Sequence, residues 1–127
     1  MEADISGTQR KVVAHEVRPQ RSTLGASGIP VTGGITMPFR VTRSWSAPAG
    51  HYLERFYLID PNTREVLFEG PQHEVLIWGL QSLTEVADEI RAPLELPPGT
   101  YAVVFALGGV MGGEFEVEAT EVGEEAA

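Results

Sequence analysis

Two histidine–glutamate pairs, His15-Glu16 and His73-Glu74, hold residue types that can ligate a metal ion. Neighbouring residues on a β-strand point to opposite faces, so neither pair can chelate one ion by itself. Two strands could bring His15 and His73 together, but no spacing in the sequence requires it. His51 follows a loop-like stretch, and we expect it to be solvated. We therefore predict no metal site.

The stretch LGGVMGGEFEVEA, residues 107–119, is the most motif-like part of the chain. Glycine loops that hold phosphate are followed by a helix, whose backbone N–H groups and dipole point at the anion. Here an alternating, glutamate-rich strand pattern follows instead. The stretch therefore predicts a β-hairpin whose glycines adopt positive φ and leave Val110 and Met111 at the tip. These two residues could be a small contact point or an incidental exposure.

The stretch FRVTRSW places Arg40 and Arg43 between Phe39 and Trp45, a mixture that can bind single-stranded nucleic acid by stacking. At a period of two, however, Phe39 faces the core and Arg40 faces water, with Trp45 in the core or at its rim. The net charge is −9 and the isoelectric point is about 4.7, which disfavours phosphate backbones. Nucleic-acid binding is not expected.

Nothing else in the sequence indicates catalysis. The absence of cysteine excludes a thiolate nucleophile, a disulfide framework and a cysteine-based zinc site. No serine lies in a nucleophile elbow, and the glutamates concentrate on outward strand faces, where solubility explains them. We therefore expect no enzyme activity, no catalytic residues and no cofactor.

Short alternating segments bounded by turn residues predict the fold. The strand pattern recurs from Ile35 onward, with Pro38 either at a sheet edge or just before the strand. An Asp-Pro-Asn-Thr turn at residues 60–63 predicts a hairpin. Residues 84–90 fit a strand better than a short helix. The sequence predicts an all-β, antiparallel, immunoglobulin-like sandwich of about seven strands, with Phe56, Leu58, Val103, Phe105 and Val117 in the core.

The domain is expected to have three parts. Residues 1–34, rich in glycine and small polar residues, predict an extended N-terminal arm with one possible short strand at residues 11–17. Residues 35–120 form the sandwich, and residues 121–127 form an acidic tail. The half from residue 1 to 64 carries a charge of +3 and the remainder −12. A mildly basic arm could therefore contact an acidic neighbour.

Two stretches, AGHYLERFYLIDPNTREVLFEGP and APLELPPGTYAVVFALGG, carry a family resemblance. In a family of small bacterial β-sandwich proteins of uncharacterised function, a strand ending in a Leu-Ile-Asp-Pro type turn and a later Pro-Gly-Thr-Tyr strand entry recur. The chain resembles that family over residues 49–117. The resemblance implies the immunoglobulin-like fold and brings no activity with it.

Several strands are apolar on both faces, so the arm or another subunit must cover the outer surface. We therefore predict a non-enzymatic structural protein that acts through protein–protein contacts, as a homo-oligomer or as a subunit or decoration component of a larger bacterial or phage particle. The expected contact residues are Arg10, Lys11, Val12, Val13, Arg18, Arg21, Ile29, Val110 and Met111. Removing residues 1–30 is expected to leave a folded sandwich without its association.

The alternative is a binding module for a small ligand or a carbohydrate, with Trp45, Trp78 and Tyr57 as its platform. No run approaches the roughly 18 apolar residues of a membrane span, and the N-terminus lacks the pattern of a signal peptide. We therefore expect no membrane partner and a cytoplasmic protein, or one that belongs to a particle assembled there.

Overall fold

The computed structural model describes residues 9–21 and 27–122 of the chain. It contains ten strands: β1 (Lys11–Pro19), β2 (Ile29–Thr32), β3 (Ile35–Thr36), β4 (Phe39–Ser46), β5 (Gly50–Ile59), β6 (Val66–Glu69), β7 (His73–Ile77), β8 (Thr84–Ile90), β9 (Gly99–Leu107) and β10 (Val110–Glu121). Within the described ranges, no helix is long and apolar enough to cross a membrane.

The strands form two sheets that pack face to face. The smaller sheet has the order β1-β4-β8, and the larger has the order β3-β2-β10-β9-β5-β6, with β7 also paired to β5. Residues 50–54 of β5 pair with β7 and residues 57–59 pair with β6. Pairings between the described strands are antiparallel except for β2 with β10. The predicted all-β antiparallel sandwich is confirmed, with ten strands rather than about seven.

The core lies between the two sheets and is built from alternate strand residues. On β4, for example, Phe39, Val41 and Trp45 are buried while Arg40 is exposed. Removing such side chains from water is the main favourable contribution to folding. All five predicted core residues are buried: Phe56, Leu58, Val103, Phe105 and Val117.

Several predicted turns and strand positions agree with the structure, and one differs. β4 begins directly after Pro38, and residues 84–90 are strand rather than helix. Asp60 begins the turn between β5 and β6, where its Oδ1 accepts a hydrogen bond from the backbone N–H of Asn62 at 2.8 Å. The β9–β10 hairpin turns at Gly108 and Gly109, with φ of 60° and 80°. Val110 and Met111, expected at the tip, instead begin β10.

A second glycine pair on β10 serves packing rather than turning. The buried Trp45 ring lies against the backbone of Gly112, where an added Cβ would be 2.2 Å from the ring atom Cζ3. Only glycine leaves room for this contact, since real Cβ atoms do not approach other heavy atoms so closely. Gly112 therefore allows the larger sheet to close over the tryptophan of the smaller one.

The N-terminal arm requires a correction. Residues 11–19 form β1, which pairs along β4, and residues 29–32 form β2, which pairs with β10. Val12, Val17 and Ile29 enter the core. Val12 and Val17 both face inward, despite their odd spacing, because the register of β1 on β4 shifts between Val12 and Ala14. The described part of residues 1–34 is thus built into the sandwich rather than extended from it. Removing residues 1–30 should therefore unfold the domain instead of leaving it intact. Residues 1–8, 22–26 and 123–127, which include most of the predicted acidic tail, lie outside the described residues.

Adjacent valines on β1 provide a direct test of this placement. Val12 is 8% exposed and Val13 is 49% exposed. Val12→Ala should lower the free energy of unfolding by about 1–3 kcal/mol, because it removes buried methyl groups and leaves a cavity. Val13→Ala should change it by no more than about 0.5 kcal/mol. Urea unfolding of both variants measures the difference, and equal effects would show that β1 does not contribute to the core.

Candidate functional site

A group of charged side chains lies buried between the two sheets. Arg43 on β4, Glu54 on β5 and Asp88 on β8 form what we call the buried ionic cluster, with Trp45 and His73 at its margins. The side chains of Arg43 and Glu54 are both 0% exposed, and that of Asp88 is 4% exposed. Because charges are costly to remove from water, each buried charged side chain must form hydrogen bonds with an oppositely charged partner inside the protein.

The hydrogen bonds of the cluster are short and run in both directions from Arg43. Its Nε donates to Glu54 Oε2 at 2.6 Å and its Nη2 donates to Glu54 Oε1 at 2.5 Å, a bidentate pair between the two sheets. Its Nη1 donates to Asp88 Oδ2 at 2.8 Å within the smaller sheet. Trp45 Nε1 also donates to Glu54 Oε2, at 2.9 Å.

His73 and two phenylalanines complete the surroundings of the cluster. His73 Nε2 lies 2.7 Å from Asp88 Oδ1. Through His73 on β7, the larger sheet therefore also contacts the carboxylate of Asp88. The guanidinium carbon of Arg43 lies 5.5 Å from the ring centre of Phe56 and 5.4 Å from that of Phe105. These aromatic faces stabilise the cation where water cannot. The cluster is therefore an ionic link between the sheets, and its closed geometry gives a substrate no access to Arg43 or Glu54.

The sequence prediction missed this cluster, although the strand patterns contain a signal for it. Arg43 has the same parity as Phe39 and Trp45 on β4, so it points inward with them. Glu54 shares the inward parity of Phe56 on β5, as Asp88 does with its apolar neighbours on β8. Two acids and one base on the inward faces of three strands indicate a buried ionic group. The expectation that the glutamates point outward is thus wrong for Glu54.

The predicted contact residues do not form one surface. Val12 and Ile29 lie in the core and are unavailable to a partner, so their assignment to an interface is wrong. Arg10 is partly buried: its Nη1 donates to the Leu107 carbonyl oxygen at 2.9 Å, and its guanidinium lies 4.8 Å from the centre of the Tyr52 ring. Lys11, Val13, Arg18, Arg21 and Met111 are exposed, and Val110 is half-buried.

The three residues of the predicted ligand platform also lie apart. Trp45 is 0% exposed in the core, so it cannot stack on a ligand. Trp78 is 74% exposed just after β7, and Tyr57 is partly exposed on β5. The register of β7 on β5 places Trp78 beyond Gly50, roughly 26 Å from Tyr57 at about 3.3 Å per strand residue. No common platform forms.

The outer face of the larger sheet carries two features that the sequence did not reveal as neighbours. One is an apolar surface, the Trp78 surface, formed by Leu53, Leu76 and Trp78, each of which is at least 42% exposed. The other is an open groove of about 570 Å³, the outer groove, which is lined by side chains of β5, β9 and the segments beside them. Its polar lining residues include Arg10, His51, Arg55, Tyr57 and Gln72.

The three histidines have separate surroundings. His15 stacks on Phe115, with ring centres 3.9 Å apart and planes inclined by 21°. Partial burial there lowers the pKa of His15 below its ordinary value of 6.5. His73 contacts Asp88, and His51 lines the outer groove. Across residues 9–21 and 27–122, no three His, Asp or Glu side chains are grouped as a metal site would require.

Neither a protein-family model nor a curated protein matches the chain. Its fold resembles part of a glycosyl hydrolase family 2 member from Bacteroides cellulosilyticus, with 14% identity, a TM-score of 0.57, and coverage of 87% of this chain and 15% of that one. It also resembles the alkylpurine DNA glycosylase AlkC from Pseudomonas fluorescens, with 14% identity, a TM-score of 0.52, and coverage of 88% and 30%.

A β-glucosidase from Listeria innocua in complex with laminaribiose is similar in fold as well, with 14% identity, a TM-score of 0.50, and coverage of 84% of this chain and 16% of that one. The chain thus spans less than a third of the length of each of these solved structures. Likeness at this level of identity defines the class of fold alone: a β-sandwich module of a kind that occurs within much longer proteins.

Two arginines on β4 test how much the buried ionic cluster contributes to stability. Arg43→Met leaves Glu54 and Asp88 buried without their cation, which should cost about 3–5 kcal/mol. Arg40→Met breaks the exposed ion pair with Glu89, whose atoms are 2.7 Å apart, and should cost about 0–1 kcal/mol. Denaturant unfolding monitored by tryptophan fluorescence compares the two. A similar loss for both variants would contradict the structural role of the cluster.

The His15 stack predicts a dependence on pH. Because burial lowers the folded-state pKa, the neutral imidazole is favoured in the folded protein. The stability that this preference contributes is present above pH 6.5 and is lost as the pH falls through the folded-state pKa. NMR titration of the histidine ring protons should give a His15 midpoint below 6.5. In Phe115→Ala the midpoint should move back upward, and an unchanged midpoint would show that the stack does not cause the shift.

Proposed function

We propose that this β-sandwich is a non-enzymatic module that acts through protein–protein contacts, as a subunit or decoration component of a larger assembly. The observation that carries the proposal is the exposure of Trp78, at 74% of its surface, beside Leu53 at 50% and Leu76 at 42%. A contiguous exposed apolar surface on a folded domain is typical of an interaction site. Tryptophan is also enriched among the residues that dominate binding energy.

The register of β5 and β7 supports the continuity of this surface. Leu53 pairs with Glu74 and His51 pairs with Leu76, so Leu53 and Leu76 are diagonal neighbours on the outer face. Trp78 has the same parity as Leu76 and continues the row beyond the end of β7. The connection to β8 adds two further exposed leucines, Leu80 and Leu83. Leu76 and Trp78 thus lie along the β7 edge of the larger sheet, beside Leu53 on β5.

The position of the N-terminal strands favours this surface over the arm as the contact region. β1 is an edge strand of the smaller sheet, and β2 lies between β3 and β10 in the larger sheet. The inward residues of both strands are used in the core of the domain itself. They leave Leu53 and Leu76 uncovered. The sequence indicated that something must cover the outer surface. Since β1 and β2 do not cover it, a second molecule is the best candidate, which agrees with an assembly role.

Two features argue for a module without catalysis. The charged groups with the strongest local interactions, Arg43, Glu54 and Asp88, bind one another and are closed to solvent. The similar modules make up 15–30% of longer chains, so this fold can be one part of a larger protein. By analogy, we propose that this chain contributes binding rather than chemistry.

A small-ligand or carbohydrate-binding module remains the second candidate, and one observation favours it. The outer groove combines the tyrosine ring of Tyr57 with the polar side chains of Arg55, His51 and Gln72. Aromatic rings with a few convergent polar groups are typical of ligand sites. The groove and the Trp78 surface share only Leu53, so a ligand and a protein partner could use different parts of the same face.

The assembly proposal predicts a defined effect of Trp78→Ser. The wild-type protein should show a concentration-dependent mass above that of the monomer in size-exclusion chromatography with light scattering, and the variant should elute as a monomer. The association should persist in added salt, because the contact is apolar rather than ionic. The free energy of unfolding of the variant should be almost the same as that of the wild type, since an exposed side chain contributes little to the core.

Leu67→Ser on β6 is the matched control. Leu67 is also an exposed apolar residue, at 40% exposure, but it lies on a different part of the sheet. This variant should associate like the wild type. A wild-type protein that stays monomeric at high concentration, or equal losses in both variants, would contradict the proposal.

A further inference from the structure

The outer groove differs in charge from the rest of the protein. The chain has a net charge of −9, and its outward strand faces are rich in glutamate. Among the described residues that line the groove there are two arginines, Arg10 and Arg55, and one histidine, His51, but no carboxylate. Two arginines in one groove, with no carboxylate among its described lining residues, favour an anionic ligand at that place.

The concavity follows from the strand pattern. Arg55 and Tyr57 are alternate residues of β5, so both point to the outer face. Ala106 on β9 lies opposite Arg55, and Gly108 and Gly109 form the adjacent turn. The larger side chains therefore stand around a floor of small residues. The resulting groove of about 570 Å³ is in the size range of small-molecule sites.

Arg55 is held in place at one side of this floor. Its Nε donates to the Gly70 carbonyl oxygen at 2.7 Å, and its Nη1 lies 3.4 Å from Glu69 Oε1. Within the described residues these contacts use Nε and Nη1, so Nη2 remains for a ligand. A guanidinium fixed by one backbone contact loses little freedom when it binds an anion. The Glu69 side chain is 58% exposed, so a bound carboxylate could take its place.

Arg10 supplies a second cation near the turn. Its Nη1 contacts the Leu107 carbonyl oxygen and its guanidinium covers the Tyr52 ring, while its buried Nε has no partner among the described residues. Tyr57 offers a partly exposed ring, and Gln72 offers an amide that can both donate and accept. The groove thus combines cationic donors, an aromatic ring and a neutral polar group.

We propose that the outer groove binds a small ring compound that carries a carboxylate, of the kind found in a uronic acid sugar. The carboxylate binds Arg55, the ring lies against Tyr57, and the hydroxyl groups of the sugar bond to Gln72. Arginine recognises a carboxylate through charge-assisted hydrogen bonds, and an aromatic face accepts the apolar face of a ring. This inference rests on the second candidate function, for which it names the ligand class, and it concerns a different site from the proposed protein–protein contact.

Calorimetric titration of the full chain with four probes tests the inference. Digalacturonate and glucuronate carry a carboxylate on a sugar ring, benzoate carries one on an aromatic ring, and cellobiose is a neutral sugar. We expect the two uronates to bind and cellobiose to bind far more weakly. Binding of benzoate without the uronates would retain the carboxylate-ring chemistry and assign its source to an aromatic acid. Equal binding of cellobiose, or no binding of any acid at millimolar concentration, would overturn the inference.

Three variants locate the site. Arg55→Gln should weaken digalacturonate binding by at least about tenfold, the effect of losing a hydrogen bond to a charged group. Tyr57→Ala should weaken it as well. Arg91→Gln removes the same charge from an exposed position after β8 on the smaller sheet, and binding should be unchanged. An equal loss in Arg91→Gln and Arg55→Gln would show that net charge, rather than the groove, causes binding.

The same variants separate this inference from the assembly proposal. Arg55→Gln should keep the association of the wild type, and Trp78→Ser should keep digalacturonate binding. Loss of ligand binding in Trp78→Ser would place the ligand on the Trp78 surface and overturn the assignment to the groove.

Discussion

The ion pair between Arg43 and Glu54 is the constraint on which the arrangement of the two sheets depends. It joins β4 of one sheet to β5 of the other through two parallel hydrogen bonds of 2.6 and 2.5 Å. An apolar core tolerates small sliding movements, whereas a bidentate pair fixes distance and angle together. Asp88 and Trp45 bind the same two groups, so three strands are held in one register by a single group of charges.

The surrounding packing follows from this link. The tryptophan that donates to Glu54 requires space next to β10, and Gly112 provides it. The rings of Phe56 and Phe105 flank the arginine and exclude water from the cluster. The Trp78 surface and the outer groove lie on the outer face of the larger sheet, on the side opposite to the core.

The outer face of the larger sheet holds the sites of both proposed contacts. β5 contributes to both, since its outward residues change from Leu53 to Arg55 and Tyr57 along the strand. The apolar end adjoins Trp78, and the basic and aromatic end forms the groove. Solved structures of similar fold contain the sandwich as a minor part of their length.

The sequence by itself determined most of the strands, two hairpins and most of the core, because alternation and turn residues act over short distances. The Asp60 turn, the Gly108-Gly109 hairpin and the inward Phe105 are all local consequences. It did not determine that residues 11–19 would join β4, since an edge pairing depends on a distant partner. Nor did the sequence determine that Arg43 would form an ion pair with Glu54 across the sheets, although the alternation of each strand indicated that both side chains point inward. Only the tertiary structure brings together side chains from separate strands, because which inward charges meet depends on the order and register of the sheets.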